Sequence, residues 1–211
     1  MEINELLRIK ALGNLLQYYH SDLRYIINFQ RYKQNALSKS KYLLKSPGSF
    51  QSFLNEFRIA RNVHKGKVED LLSLTKDWVV SSKADDVDDF AAILRKNGLT
   101  HDGKTMTSLA SKVLFLNNPW VILPSDTLNK RAVGVRTNKY SDFFNAICEI
   151  MKKKTLPFKE SFGPVQNYLN TIESDYKGEL KDIDVIRQNR YVDKILWMLG
   201  QDTTSSKQKE F

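Results

Sequence analysis

The sequence predicts an all-α protein, and three observations carry that reading. Apolar residues recur at spacings of three and four along almost the whole chain, the period of helices that bury one face. Sustained alternation of apolar and polar residues, the mark of half-buried strands, is nearly absent. Helix-breaking clusters such as Ser46-Pro47-Gly48-Ser49, Asn97-Gly98 and Asn118-Pro119 fall between the periodic blocks.

Taken in order, the spacing predicts helices at 3–19 and 22–37, parted at Ser21-Asp22, whose side chains suit an N-cap. Helices at 49–61 and 67–80 follow the Ser-Pro-Gly-Ser break. A helix at 85–97 opens on Asp85, Asp86, Asp88 and Asp89, which match the positive end of the helix dipole, and closes on Asn97-Gly98, where glycine accepts a left-handed backbone. The helix at 105–117 stops at Asn118-Pro119 because the residue before a proline avoids the α region. Asp126 opens a helix at 126–133, and helices at 140–153, 160–172 and 184–200 complete the chain. The remainder, Gln201 to Phe211, is polar and is expected to be a disordered tail.

A chain of 211 residues buries roughly 70 % of its unfolded surface on folding, so disulfides are not required. Cys148, the single cysteine, lies in an apolar helical pattern with Phe143, Phe144 and Ile147 and reads as a small buried hydrophobe. No run of about 18 apolar residues is present, and the N-terminal stretch MEINELLRIKALGN lacks the apolar region of a signal peptide. The expectation is a soluble, cytoplasmic protein that makes no membrane contact.

Charge is the next informative feature. Thirty-three Lys and Arg against 24 Asp and Glu leave a net +9, unevenly spread. Between Arg31 and Lys67 stand nine basic residues and one acid, Glu56. A second basic stretch holds Lys130, Arg131, Arg136, Lys139 and Lys152 to Lys154, whereas residues 84–89 read ADDVDD. Such asymmetry fits a polyanionic partner, most simply nucleic acid, whose phosphates are bound with release of counterions. A merely solvated basic surface is the bland alternative.

Familiar chemistry is missing. His20, His64, His101 and Cys148 do not make a spaced metal-ligand set, so no metal is expected. Neither GxSxG, GxxxxGK[ST] nor GxGxxG occurs, which removes the common signals for serine hydrolases, phosphate loops and dinucleotide cofactors. No cofactor is expected, and any catalysis falls to carboxylates, lysines or hydroxyls.

Residues 98–133 read GLTHDGKTMTSLASKVLFLNNPWVILPSDTLNKRAV. A turn bounded by Gly98 and Gly103 leads into a helix with Met106, Leu109, Ala110, Val113 and Leu116 on its apolar side. A loop fenced by Pro119 and Pro124 then delivers Asp126 to the start of the next helix. This arrangement resembles the helix-hairpin-helix DNA glycosylase superfamily, in particular the 8-oxoguanine glycosylase branch and its small bacterial relatives. The segments Asn118-Pro119, Pro124-Ser125-Asp126 and Ala110-Ser111-Lys112 carry the resemblance, and Arg190 to Trp197 looks like the closing helix of such relatives. It covers about 40 residues and this tail segment.

The resemblance implies a glycosylase-like helical domain over 1–200, or two helical subdomains around a cleft. It implies double-stranded DNA with a flipped base as partner, in repair or anti-phage defence, and hydrolysis of the N-glycosidic bond of a modified or damaged base. Asp126 would be the catalytic carboxylate. An anion held beneath the sugar carbon stabilises the positive charge that builds up there and orients the attacking water. Extruding the base calls for an aromatic surface, for which Trp120, Phe115 and Tyr140 are candidates. Lys104, Trp120, Lys130, Arg131, Arg136 and Lys139 are the candidate nucleic-acid contacts.

Two departures from the family pattern stand out. The glycines at 98 and 103 are not the compact Gly-x-Gly of the family's hairpin. The position of the nucleophilic lysine in bifunctional members falls near Thr107 or Ser108, with Lys104 one turn before and Lys112 one turn after. Lys112 is thus the residual nucleophile candidate, a solvated or ion-paired lysine being its bland reading, and the implied activity is monofunctional.

Other readings stay open. Asp is among the best N-cap residues, so Asp126 before TLNKRAV would cap its helix with no chemistry at all; capping and catalysis are compatible. The aromatic residues Trp78, Trp120 and Trp197, and the cluster Tyr18, Tyr19, Tyr25, Phe29 and Tyr32, read first as core. A non-catalytic nucleic-acid-binding module, or a helical protein-interaction partner such as an antitoxin or assembly subunit, are the competing functions. The sequence leaves the oligomeric state open.

Overall fold

The structure, a computed structural model, describes residues 3–153 and 158–207. Among the described residues it is all-helical: α1 (Glu5–Lys33), α2 (Lys39–Leu43), α3 (Phe50–Glu56), α4 (Val68–Trp78), α5 (Val87–Lys96), α6 (Thr107–Phe115), α7 (Thr127–Ala132), α8 (Tyr140–Lys153), α9 (Phe158–Phe162), α10 (Gln166–Ser174) and α11 (Ile183–Lys207). An isolated antiparallel bridge, Val63 to Thr100, is the β pairing found among these residues. None of the described helices is long and apolar enough to cross a membrane. No group of three His, Cys, Asp or Glu among the described residues is placed to hold a metal ion.

The chain divides into two compact units: residues up to His20 together with Ser125 onward form unit 1, and Ser21–Pro124 form unit 2. The first boundary falls inside α1, which corrects the expectation of two helices parted at Ser21-Asp22. Both residues have tertiary roles that a cap does not need. Asp22 is buried, and the Ser21 hydroxyl donates to Glu56 Oε1 at 2.6 Å. Glu56 Oε2 accepts from the Tyr25 hydroxyl at 2.8 Å. Side-chain partners of this kind override a local preference for turns.

Unit 2 is built on an aromatic core. Rings follow one another at centroid distances of 5.4 Å (Tyr32 and Tyr42), 5.9 Å (Tyr42 and Phe50), 6.1 Å (Phe50 and Phe53), 4.6 Å (Phe53 and Phe57) and 6.3 Å (Phe57 and Phe115). These separations are those of favourable offset and tilted pairs. Tyr25, Phe29 and Tyr32 are buried as expected. Trp78, by contrast, is half-buried against Phe90, and Trp120 and Trp197 are half-buried too, because so large a side chain seldom loses all its exposure.

In unit 1 the short α7 lies against α11, and at Gly200 the two backbones come close together. A β-carbon there would stand 2.7 Å from the carbonyl carbon of Leu128. Between the two helices runs a buried polar link: Asn129 Nδ2 donates to Asp193 Oδ1 at 2.6 Å, and Arg190 Nη1 to Asp193 Oδ2 at 2.9 Å. Another buried acid, Glu173 of α10, accepts from Tyr19 at 2.8 Å and from Arg187 at 3.0 Å. The α11 backbone continues to Lys207, which corrects the tail expected from Gln201. No proline interrupts 201–207, and helices propagate readily once nucleated. Gln208 to Phe211, the rest of that tail, lie outside the described residues, as does Lys154 of the basic run. Cys148 is half-exposed rather than buried, since it sits beside Ile147, the residue that takes the core position.

Candidate nucleic-acid interface and carboxylate

Three successive elements position the candidate residues. In unit 2, α5 and α6 pack on each other, joined through a hairpin that starts with a helix-closing motif. Gly98, at φ +63°, donates its N–H to Arg95 O at 3.0 Å, and Leu99 donates to Leu94 O at 3.0 Å. These two hydrogen bonds, with a glycine in the left-handed region, satisfy the last carbonyls of α5. The tip of the hairpin, His101–Gly103, is a 3₁₀ turn with Asp102 at φ +57° and Gly103 at φ +60°. Here Asp102 accepts from His101 Nδ1 at 2.9 Å and from Lys104 Nζ at 3.3 Å, and the Lys104 and His101 bonds hold its carboxyl below the usual carboxylate range.

Helix α6 starts at Thr107 without a side-chain cap from Met106. The position at which the resemblance places a nucleophilic lysine is therefore its first turn, where Thr107 is buried and Ser108 half-buried. Lys112, half-buried on the same helix, donates to the Phe57 carbonyl at 3.2 Å. Phe57 closes α3, so this ammonium sits at the negative end of a helix.

After α6 the proline-fenced loop is clamped from α1 and from Asp85, just ahead of α5. Gln30 Nε2 donates to the carbonyls of Leu116 and Asn117, each at 2.9 Å, and Lys33 Nζ donates to Asn117 Oδ1 at 2.8 Å. Burial lowers the pKa of Lys33. Asn118 Nδ2 donates to Asp85 Oδ2 at 2.9 Å. Ile122 and Leu123 are buried while Val121 is 47 % exposed, so two of its three central apolar residues anchor the loop. Trp120 lies half-buried within it.

In unit 1 Asp126 is the N-cap of α7. Its backbone is extended (φ −142°, ψ −177°), and Oδ1 accepts from the N–H groups of Leu128 and Asn129, each at 2.9 Å. The residue is half-buried. Two amides of a helix N-terminus thus fix the carboxylate in place. Helix α7 closes as α5 does, with Gly134 at φ +76° donating to Arg131 O at 3.1 Å and Val135 to Lys130 O at 2.9 Å.

The candidate contacts divide between the units. Lys104, Lys112 and Trp120 belong to unit 2; Asp126, Lys130, Arg131, Arg136 and Lys139 belong to unit 1. Lys130 Nζ donates to Asn138 Oδ1 at 3.1 Å, and Arg131 Nη1 reaches Gly200 O at 3.4 Å. Arg131, Arg136 and Lys139 are exposed. Phe115 is a core residue with its ring tilted against that of Phe57, and Tyr140 is buried against Phe143 and Phe144. Of the three aromatic candidates, Trp120 alone keeps partial exposure. An apolar groove in unit 1, lined by Ile3, Ile147, Ile150, Met151, Val192 and Ile195 among others, contains no titratable side chain and offers nothing for bond cleavage.

The Gln30 and Lys33 clamp left no signal in the sequence, since its partners lie more than eighty residues away. The buried pair of Arg190 and Asp193 did leave one: opposite charges at i and i+3 inside the apolar run Tyr191, Val192, Ile195, Leu196. No family model, curated protein or solved structure matches the chain.

Proposed function

We propose that the chain is a nucleic-acid-binding protein of the helix-hairpin-helix DNA glycosylase kind, which hydrolyses the N-glycosidic bond of a flipped modified or damaged base with Asp126 as its carboxylate. The observation that carries this reading is the attachment of Asp126. It follows an α5-hairpin-α6 unit and a clamped loop, and two backbone amides hold one of its oxygens. A carboxylate so fixed stabilises an oxocarbenium-like sugar and orients water without reorganising during the reaction.

The absence of a lysine from the first turn of α6 supports hydrolysis by water over Schiff-base chemistry. Lys112 has a structural use in its bond to Phe57 O, which favours the same conclusion. The basic stretches provide the sequence-independent attraction to phosphates, and Trp120 is the aromatic surface for the extruded base.

The decisive substitution is Asp126→Asn, because asparagine caps helices about as well as aspartate but carries no charge. On duplexes bearing damaged or modified bases, the variant keeps its fold and its DNA affinity and loses base release by about 10²-fold or more. Equal base release by variant and wild type refutes the catalytic role. A non-catalytic DNA-binding module is the second reading, favoured by the fact that Asp126 is already used as a cap; wild type that binds duplex yet releases none of a broad panel of bases establishes it.

A further inference from the structure

Unit 2 carries a second cationic segment beside its hairpin. From Phe57 to Lys65 the chain has Arg58, Arg61 and Lys65 and no acid, and from Gly98 to Met106 it has Lys104 against the single acid Asp102. The two segments are joined by the bridge between Val63 and Thr100 and by the bond from His64 N to Leu99 O at 2.9 Å. Ile59, Val63, Leu99 and Thr100 are buried and anchor the ribbon. Arg58, Arg61, His64 and Lys65 on one side, and His101 to Lys104 on the other, are exposed. Four permanent cations therefore face solvent with one carboxylate among them.

Arg58 adds an independent observation. It follows Phe57, the C-cap of α3, at φ +55°, with its N–H on Asn55 O at 3.0 Å and the Ile59 N–H on Leu54 O at 2.9 Å. Helices α1, α5 and α7 end in the same hydrogen-bonded motif, with Asn35, Gly98 and Gly134 at that position, the residue types that a left-handed helix end favours. An L side chain in the left-handed region is disfavoured. Keeping arginine where these other helix ends use glycine or asparagine retains a conformational strain, which fits a side chain that serves a purpose beyond the turn itself.

We propose that segment 58–65 and the hairpin tip 101–104 form one phosphodiester-binding face, in which Arg58, Arg61 and Lys65 act with His101 and Lys104, and the Asp102 carboxylate is an internal anion that a phosphate replaces. The inference rests on the nucleic-acid half of the function proposed above and not on its catalytic half. Lys104 and His101 already converge on one carboxylate. Those three side chains are more than half exposed, and exposed ion pairs of this sort exchange partners at little cost. A protein partner would want an apolar centre to its interface, yet the large exposed hydrophobics among the described residues are Leu6, Ile9, Leu44, Val80, Val121 and Tyr168, none of them in either segment. A nucleic-acid backbone makes no such demand.

The test is binding of the full chain to a short labelled DNA duplex of undamaged sequence, measured across a salt series. Each phosphate that the protein no longer neutralises lowers the slope of log affinity against log salt by about 0.9. The double variant Arg61→Gln with Lys65→Gln is expected to flatten the slope by about 1.8, while a charge-matched control, Lys10→Gln with Lys177→Gln, leaves it unchanged. Arg58→Gly weakens binding and raises the melting temperature by roughly 2 °C. Asp102→Asn tightens binding by about two- to five-fold. If wild type binds and the Arg61, Lys65 and Arg58 variants bind as wild type does, this face is refuted while the nucleic-acid reading stands. Should wild type bind no duplex at any salt, both fall. Equal retention of a polyglutamate peptide by the same face would assign it to an acidic protein instead, and that too overturns the proposal.

Discussion

Gly200 of α11 lies against the backbone of Leu128 in α7, so close that a β-carbon on Gly200 would stand 2.7 Å from the Leu128 carbonyl carbon. The atom in the way is backbone and does not rotate aside. Since Leu128 also donates its N–H to Asp126, the spacing of two helices and the seat of the candidate carboxylate are set at one place. Gly200→Ala is expected to destabilise by about 1–3 kcal/mol, the usual cost of overpacking, even though alanine is the better helix former. Thermal unfolding monitored by circular dichroism checks this; a melting point at or above that of wild type would mean that α7 is free to move.

A second prediction separates the two roles of Asp126. Replacement by alanine removes the cap and costs about 0.5–2 kcal/mol, whereas replacement by asparagine costs far less. Chemical denaturation of both variants should rank them in that order. Equal losses would show that the charge, and not the hydrogen bonds to Leu128 and Asn129, stabilises the start of α7.

The polar link between α7 and α11 gives a third. Arg190 and Asp193 are almost wholly buried, and removing one partner of a buried ion pair leaves a charge without compensation. Arg190→Met is expected to cost about 3–5 kcal/mol. The triple variant Arg190→Met, Asp193→Leu, Asn129→Leu removes all three polar groups and should recover most of that loss, as read from urea midpoints. If the triple variant is worse than the single one, the link contributes net stability and not only specificity.

Much of this arrangement was legible in the sequence. The helix spacing predicted an all-α chain, and Asp126 stood out as the start of α7 because an Asp after Pro124 and before an amphipathic turn has few other uses. The ends of α5, α6 and α8 fell within two residues of the pattern, where Asn97-Gly98 and Asn118-Pro119 supply local stops. Misreadings arose where tertiary contacts outweigh local chemistry. Ser21 and Asp22 resemble a cap yet lie inside α1, and the segment 49–61 closes early at Glu56 because Arg58 adopts a conformation that its side chain disfavours. The clamp of Gln30 and Lys33 on Asn117 has no local signature at all, because it depends on a fold that brings α1 to the end of α6.

The last prediction concerns alkaline pH. Burial raises the pKa of Tyr42 well above its ordinary value, and its hydroxyl, fully enclosed in the aromatic core, has no hydrogen-bond partner among the described residues. Burial, with help from the hydrogen bond to Glu56, also raises that of Tyr25. A raised folded-state pKa means that the unfolded chain releases its proton first, near the ordinary tyrosine value of about 10. The stability these groups contribute is therefore complete below that pH and is lost as the pH climbs through and above it. Ultraviolet titration should show the two hydroxyls ionising only as the protein unfolds. Tyr42→Phe removes both the titration and an unsatisfied buried group, so it should stabilise at neutral pH by about 1 kcal/mol and shift the alkaline unfolding midpoint upward. Tyr25→Phe forfeits its bond to Glu56 and should lose stability at neutral pH while gaining relative resistance to base. A Tyr42→Phe protein that melts lower than wild type at pH 7 would show that the hydroxyl has a partner in solution.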